Sequence, residues 1–255
     1  MNTKKAKSKN KQCFIVVVLL ILSIVVVIKA SVNLIQNDKE TTSSSEQSSL
    51  SPSSTKELTH YNKHVTLTFD DGPSSAYTPV LLDALKAEQV TATFFLLGQN
   101  IEGNESLVKR INIENHTVAN HTFSHPDLVY EDNTKIESEF AKTDALIYDL
   151  TGKKPEFVRT PYGSNNKEVL RIAGRPNILW NVDSMDWDLR DSKRIIDKIM
   201  HDVKDGSIIL MHDIHKESVE AIPTLITLLH EEGYGIIDLH DLLGTDLKAK
   251  NYYNR

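Results

Sequence analysis

The 255-residue chain has one cysteine, Cys13, so no disulfide can form within it, and its stability must come from packing and any metal it binds. It also lacks a basic balance. Lys and Arg number 29 against 35 Asp and Glu, for a net charge of −6. Eight of those bases and four of those acids precede residue 60, which leaves 21 against 31, or −10, for the rest. That excess of acid argues against nucleic acid and other polyanions as partners. No internal repeat is found. Between Gln36 and Glu57 apolar side chains are scarce and Ser, Thr, Gln and charged residues dominate, so this stretch cannot bury enough surface to order itself and reads as a tether. Over the whole chain, 40% hydrophobic and 25% charged residues are the proportions of an ordinary globular protein.

The N-terminus does have a long apolar run. Met1 to Gln12 carries five lysines and no acid, and Cys13 to Ile28 carries no charge at all. Ala30 to Ile35 can extend the run past Lys29 toward the roughly 20 residues that span a bilayer. A cut after Ala30 would leave Ile28 where a small residue is wanted, so an uncleaved anchor is favoured over secretion after cleavage. The lysines should stay cytoplasmic and the remainder should lie outside the cell membrane, on a single-pass anchor. The expected organisation is a basic tail and anchor over 1–35, a Ser-rich linker over 36–59, a catalytic domain over 60–245 and a C-terminal tail over 246–255.

Within that domain, β-branched apolar runs alternate with segments of helical period. Strands are predicted at 64–69, 91–97, 117–121, 156–160, 177–183, 206–212 and 234–239, and helices at 77–89, 132–151, 192–204 and 217–232. This alternation predicts an α/β fold, a distorted or incomplete (β/α) barrel with about seven parallel strands. Asp70-Asp71, His121 to His125, Arg159, Asp183 to Trp187 and His212-Asp213 all follow predicted strands, so they should converge on the end of the barrel where parallel α/β barrels place their active sites.

Taken singly, each motif has an ordinary reading. Asp70-Asp71-Gly72-Pro73 suits a tight turn, and Arg159 suits a surface charge. His60, His64, His116, His201, His215, His230 and His240 read as surface or capped histidines. His121 and His125, four apart, would share a side of a helical turn or curled loop, as ligands of one cation do, and Asp71 could be the third ligand. Arg159 near that cation could hold a carboxylate.

In this order the five segments resemble the motifs of the polysaccharide deacetylases of carbohydrate esterase family four, which carry the nodulation-protein-B homology domain. The resemblance covers about residues 62–243. It implies Asp70 as general base, with Asp71, His121 and His125 as ligands of a divalent metal, zinc before Co²⁺, Mn²⁺ or Ni²⁺. It implies Arg159 paired with Asp70, the Tyr162 backbone N–H on the oxyanion, and His212 as general acid oriented by Asp186. Trp187 and Leu210 would line the slot for the acetyl methyl group. Two departures affect loop shape only: Asn115-His116 where the family often has Gly before the histidine, and the unusual Gly174-Arg175-Pro176-Asn177.

The roles match the chemistry of amide hydrolysis, which needs an activated water, a stabilised oxyanion and a proton for the departing amine. The metal and Arg159 should keep Asp70 ionised while Asp186 favours protonated His212. A glycoside hydrolase would use paired carboxylates without needing His121 and His125. An inactive sugar-binding wall module would have lost a base, acid or ligand, and none is missing. A tethered catalytic monomer outside the membrane points to peptidoglycan N-acetylglucosamine as substrate. Poly-N-acetylglucosamine, chitin oligomers and acetylated xylan use the same chemistry in this family.

Overall fold

The computed structural model describes residues 61–255. The expected basic tail, membrane segment, linker and His60 lie outside the described residues, among which no helix is long and apolar enough to cross a membrane.

The fold is α/β with mainly parallel strands, centred on β1, Lys63–Asp70. Its odd positions Val65, Leu67 and Phe69 pack under the outer helices, while Thr66, Thr68 and Asp70 point the other way and are buried too. Burial on both faces is what a central parallel strand requires. β2 (Thr93–Leu96) and β6 (Ile208–His212) flank β1, β3 (Thr117–Asn120) lies outside β2, and β5 (Val182–Asp183) lies outside β6. β7 (Tyr234–Ile236) pairs with the start of β1. β4 (Asn177–Ile178) pairs with β8 (Asn251–Tyr252), and Val158 bridges Asn120 on one side and Asn177 on the other. Asn254 then bridges Ser207 at the foot of β6, so the chain after residue 245, read as a tail, patches the wall between β4 and β6.

The helices named here are α1 (Thr78–Glu88), α2 (Gly98–Ile101), α3 (Glu105–Ile113), α4 (Asn133–Thr151), α5 (Lys167–Ala173), α6 (Asp186–Leu189), α7 (Ser192–Asp202), α8 (Lys216–Glu231) and α9 (Leu239–Leu243). Asp132 and Asp191 cap α4 and α7 by accepting the N–H of Lys135 and Arg194, worth about 1 kcal/mol each. Leu81, Leu85, Ile195, Ile199, Ile222 and Leu225 pack with β1 in one large cluster. Truncating one such side chain, as in Leu67→Ala, costs about 2–5 kcal/mol. Phe95, Ala119, Phe157, Ile178 and Ile208 form a second cluster with Leu239 and Leu242 of α9.

The four predicted helices and the strands at 64–69, 91–97, 117–121 and 206–212 are present with ends shifted by one or two residues. Three strand expectations need correction. Residues 156–160 form no strand: Val158 alone is bridged, between Pro155 and Pro161, which have no N–H to donate. The run 177–183 is split, because the carbonyls of Ile178 and Leu179 accept from the Arg159 guanidinium. The last predicted strand stops at Ile236, before Asp238 caps α9.

Candidate active site

Consecutive strand residues point to opposite faces, so Asp70 and Asp71 could not both enter one cavity if β1 simply continued. The backbone turns left-handed at Asp71, φ 71°, which brings both carboxylates to the same side. Gly72 then permits the turn, since a methyl group there would overlap the Asp213 carboxylate. Asp213 also accepts from the Thr78 hydroxyl, which in turn accepts from the Ser74 N–H at 2.7 Å. Burial pushes Asp213 up to about 7, against that hydrogen bond.

His121 and His125 leave β3 in a curled loop, with Thr122 and His125 in the left-handed region at φ 70° and 60°. Glu139 of α4, buried, accepts from the N–H groups of Phe123 and Ser124 and the Ser124 hydroxyl at 2.7–2.9 Å. Asn120 accepts the Thr122 N–H at 2.7 Å, and the Thr122 hydroxyl accepts the His125 N–H. The sequence reading missed Glu139. Its signal was an acid at the position expected to be apolar, between Ile136 and Phe140 on the buried side of α4.

The ring of His121 places Nδ1 2.7 Å from the Arg159 carbonyl, which can only accept, so Nδ1 carries the hydrogen and Nε2 presents a lone pair. That lone pair lies 3.5 Å from Asp71 Oδ1, and His125 Nε2 lies 3.5 Å from the same oxygen. Burial depresses His121 to about 3, Asp71 opposing, so its Nε2 keeps that lone pair at neutral pH. Asp71 Oδ1 is buried without a hydrogen-bond partner. The His121 lone pair, the Asp71 oxygen and His125 Nε2 lie within 4.8 Å of one another and fit a cation at their centre. The two 3.5 Å distances to Asp71 Oδ1 are near the roughly 3.4 Å between neighbouring ligands of a tetrahedral zinc. Among the described residues this is the group of His, Cys, Asp and Glu with such geometry.

Arg159 is fully buried. Its Nη1 donates to Asp70 Oδ1 at 2.7 Å and Thr68 Oγ1 at 2.8 Å, Nε and Nη2 reach the carbonyls of Ile178 and Leu179, and the guanidinium lies 4.1 Å from the Phe95 ring centroid. Burial raises Asp70 above the ordinary carboxylate range, against the pull of Arg159. Desolvation outweighs that one counter-charge here.

Asp70 is in register with His212 on β6, so the two side chains leave neighbouring strands at one level. Nδ1 of His212 lies 2.7 Å from Asp186 Oδ1, leaving Nε2 for the cavity. Burial would lower His212, but the hydrogen bond and charge of Asp186 push it up to about 9. Burial would raise Asp186, and its bond from His212 holds it low.

These groups line a cavity of about 460 Å³. Asp70, Asp71, His121, His125, Tyr162, Trp187, Leu210 and His212 are on its wall, as the sequence reading requires, joined by Asp183, which opens the Asp183 to Trp187 segment, and by Trp180, which it did not single out. Arg159 and Asp186 stand behind the wall, fully buried. Tyr162 is left-handed, φ 60°, and its exposed ring meets that of His125 edge-on at 4.6 Å. The Asn115 departure has a local reason: Asn115 is left-handed, φ 65°, a conformation Asn tolerates, and His116 Nδ1 accepts the Ala92 N–H.

The family pattern described as polysaccharide deacetylase matches residues 58–178. The peptidoglycan-N-acetylglucosamine deacetylase PgdA of Listeria monocytogenes is 40% identical over 195 residues, covering 76% of this chain and 42% of that protein. The chain thus spans about two fifths of the length of that relative. A peptidoglycan-N-acetylglucosamine deacetylase of Bacillus cereus is 37% identical, covering 74% of this chain and 72% of that protein. A solved structure described as T48 deacetylase with substrate superposes with a TM-score of 0.72 at 42% identity, covering 74% of this chain and 96% of that one.

Proposed function

Because the chain belongs to the polysaccharide deacetylase family, we propose that it hydrolyses the acetamide of N-acetylated glycans, peptidoglycan N-acetylglucosamine first, and releases acetate. The observation that carries this reading is the pairing of Asp70 and His212, in register on adjacent strands, in one cavity with Asp71, His121 and His125.

In the proposed reaction Oδ1 of Asp70 is held by Arg159, so Oδ2 is the oxygen that takes a proton from water as the water oxygen adds to the acetyl carbon. His212, charged at neutral pH, gives its Nε2 proton to the nitrogen as the C–N bond breaks, and acetate and the free amine leave. Asp71, His121 and His125 would hold a divalent cation, zinc first, supplying a Lewis acid that polarises the acetyl carbonyl and makes water more acidic. The Tyr162 N–H serves the developing oxyanion. Trp187 and Leu210 flank the acetyl methyl group from the cavity wall.

The lysines before Cys13 and the uncharged run after it support a tether that holds the domain outside the cell membrane, within reach of the wall. Protease added to intact cells should release the domain by cutting within 36–57, and resistance until the membrane is breached would overturn the topology. The activity is tested by measuring acetate released from peptidoglycan, N-acetylglucosamine oligomers and acetylated xylan by the zinc-loaded full chain. Release from peptidoglycan above the others is expected, and no release from any of them would overturn the reading.

A further inference from the structure

Asp186 is fully buried and has a hydrogen-bond donor that the proposed reaction does not use. Its Oδ1 faces Nδ1 of His212. Its Oδ2 accepts from the His212 backbone N–H at 2.7 Å and from the Ser218 hydroxyl at 2.6 Å. Ser218 is fully buried in the first turn of α8. An ionised carboxylate only accepts, so the hydroxyl donates. Ser192 of α7 donates to the Glu217 carbonyl at 2.7 Å, which fastens that turn to a second helix. The hydroxyl therefore comes from a braced element.

A carboxylate on one side-chain axis can rotate its plane, and a histidine ring bonded to one of its oxygens turns with it. Two donors on Oδ2, one from the backbone of the strand that carries the ring and one from α8, fix that plane from two directions. We infer that Ser218 is a positioning residue for the acid half of the site, its hydroxyl locking the Asp186 carboxylate so that Nε2 of His212 faces the leaving nitrogen. The inference rests on His212 serving as the acid in the proposed deacetylation. It sets apart the two halves of the site, since the Ser218 hydroxyl bonds Asp186 and none of Asp70, Arg159, Asp71, His121 and His125.

The test exploits leaving-group chemistry. An amine must be protonated to leave, whereas the phenolate of 4-nitrophenyl acetate leaves without a proton, so a defect confined to the acid appears with the first substrate only. The zinc-loaded full chain and its Ser218→Ala and Ser218→Thr variants are assayed on an N-acetylglucosamine oligomer and on 4-nitrophenyl acetate. Ser218→Ala should lower kcat on the oligomer about tenfold at nearly unchanged KM, and the ratio of oligomer to aryl acetate turnover should fall by the same factor. Ser218→Thr, which keeps the hydroxyl, should restore the ratio. Parallel loss on both substrates, or equal ratios in wild type and Ser218→Ala, overturns the inference alone. Should Ser218→Ala fail to fold, Ser218→Cys keeps the volume with a weaker donor and must show the same split. No oligomer turnover by the wild-type protein overturns the deacetylase reading itself.

Discussion

The two ends of the parallel strands hold similar residues in opposite condition. At the mouth, Asp70, Asp71, His121, His125 and His212 surround a cavity of about 460 Å³. At the foot, His116, Asp238, His240 and Glu156 line one of about 490 Å³. Size and residue type do not separate them. At the foot both Asp238 oxygens are satisfied, by Thr117 and by His240, and the His240 ring lies between Asp238 and Glu156 at 2.8 and 3.0 Å. At the mouth Asp71 Oδ1 has no partner, the His121 lone pair faces it, and Asp71, Thr122, His125 and Tyr162 adopt left-handed conformations, against Asn115 alone among the non-glycine residues lining the foot. Unmet lone pairs and backbone strain mark a place built for a guest.

The strongest way to break this contrast is to remove the guest or one of its ligands. Chelation, or His121→Ala, should abolish acetate release and metal content, while His240→Ala should leave both within about twofold. Wild-type metal content in His121→Ala would refute the assignment. Next come the proton-transfer groups: Asp70→Asn and His212→Ala should each lower kcat by roughly 10²–10⁴-fold with metal retained. Their combination should be far milder than the product, since both act in one cycle.

Glu139→Gln should weaken metal affinity by roughly 10–100-fold through the loosened His121 to His125 loop, as isothermal titration would show. An unchanged affinity would leave Glu139 with stability alone.

Acid–base behaviour gives the subtler contrasts. His212 sits near 9, above its ordinary value, so it is charged at neutral pH and kcat should fall as pH rises through about 9. His212→Ala should lose that limb. His240 is likewise raised to about 9, first by its Asp238 hydrogen bond, so its contribution is to stability: full below about 6.5 and lost as pH rises through about 9. Thermal melts should show the wild-type advantage over His240→Ala shrinking across that window, with activity unaffected. The smallest expected effect is the most pointed, since it separates a histidine that works from one that only holds.

Much of this was legible in the chain. Apolar periodicity located β1, β2, β3, β6, α1, α4, α7 and α8, because elements that bury a whole face must repeat apolar residues at the period of their geometry. The polar residues ending the strands located the site, because the C-terminal ends of parallel strands share one face. The sequence did not show what depended on a single distant partner. Residues 156–160 and 177–183 look like strands, yet Arg159 takes two carbonyls that a ladder would have used. Ser218 and Glu139 look like ordinary helix residues until folding places Asp186 and the histidine loop against them. The sign of the Asp70 shift also needed the fold, since composition reveals the Arg159 charge but only burial sets how much solvation the carboxylate gives up. Local pattern determined which residues form elements and which stand at their ends. Tertiary structure decided which donors each of them meets, because hydrogen bonds between residues 32 apart, as Ser218 and Asp186 are, leave no period in a sequence.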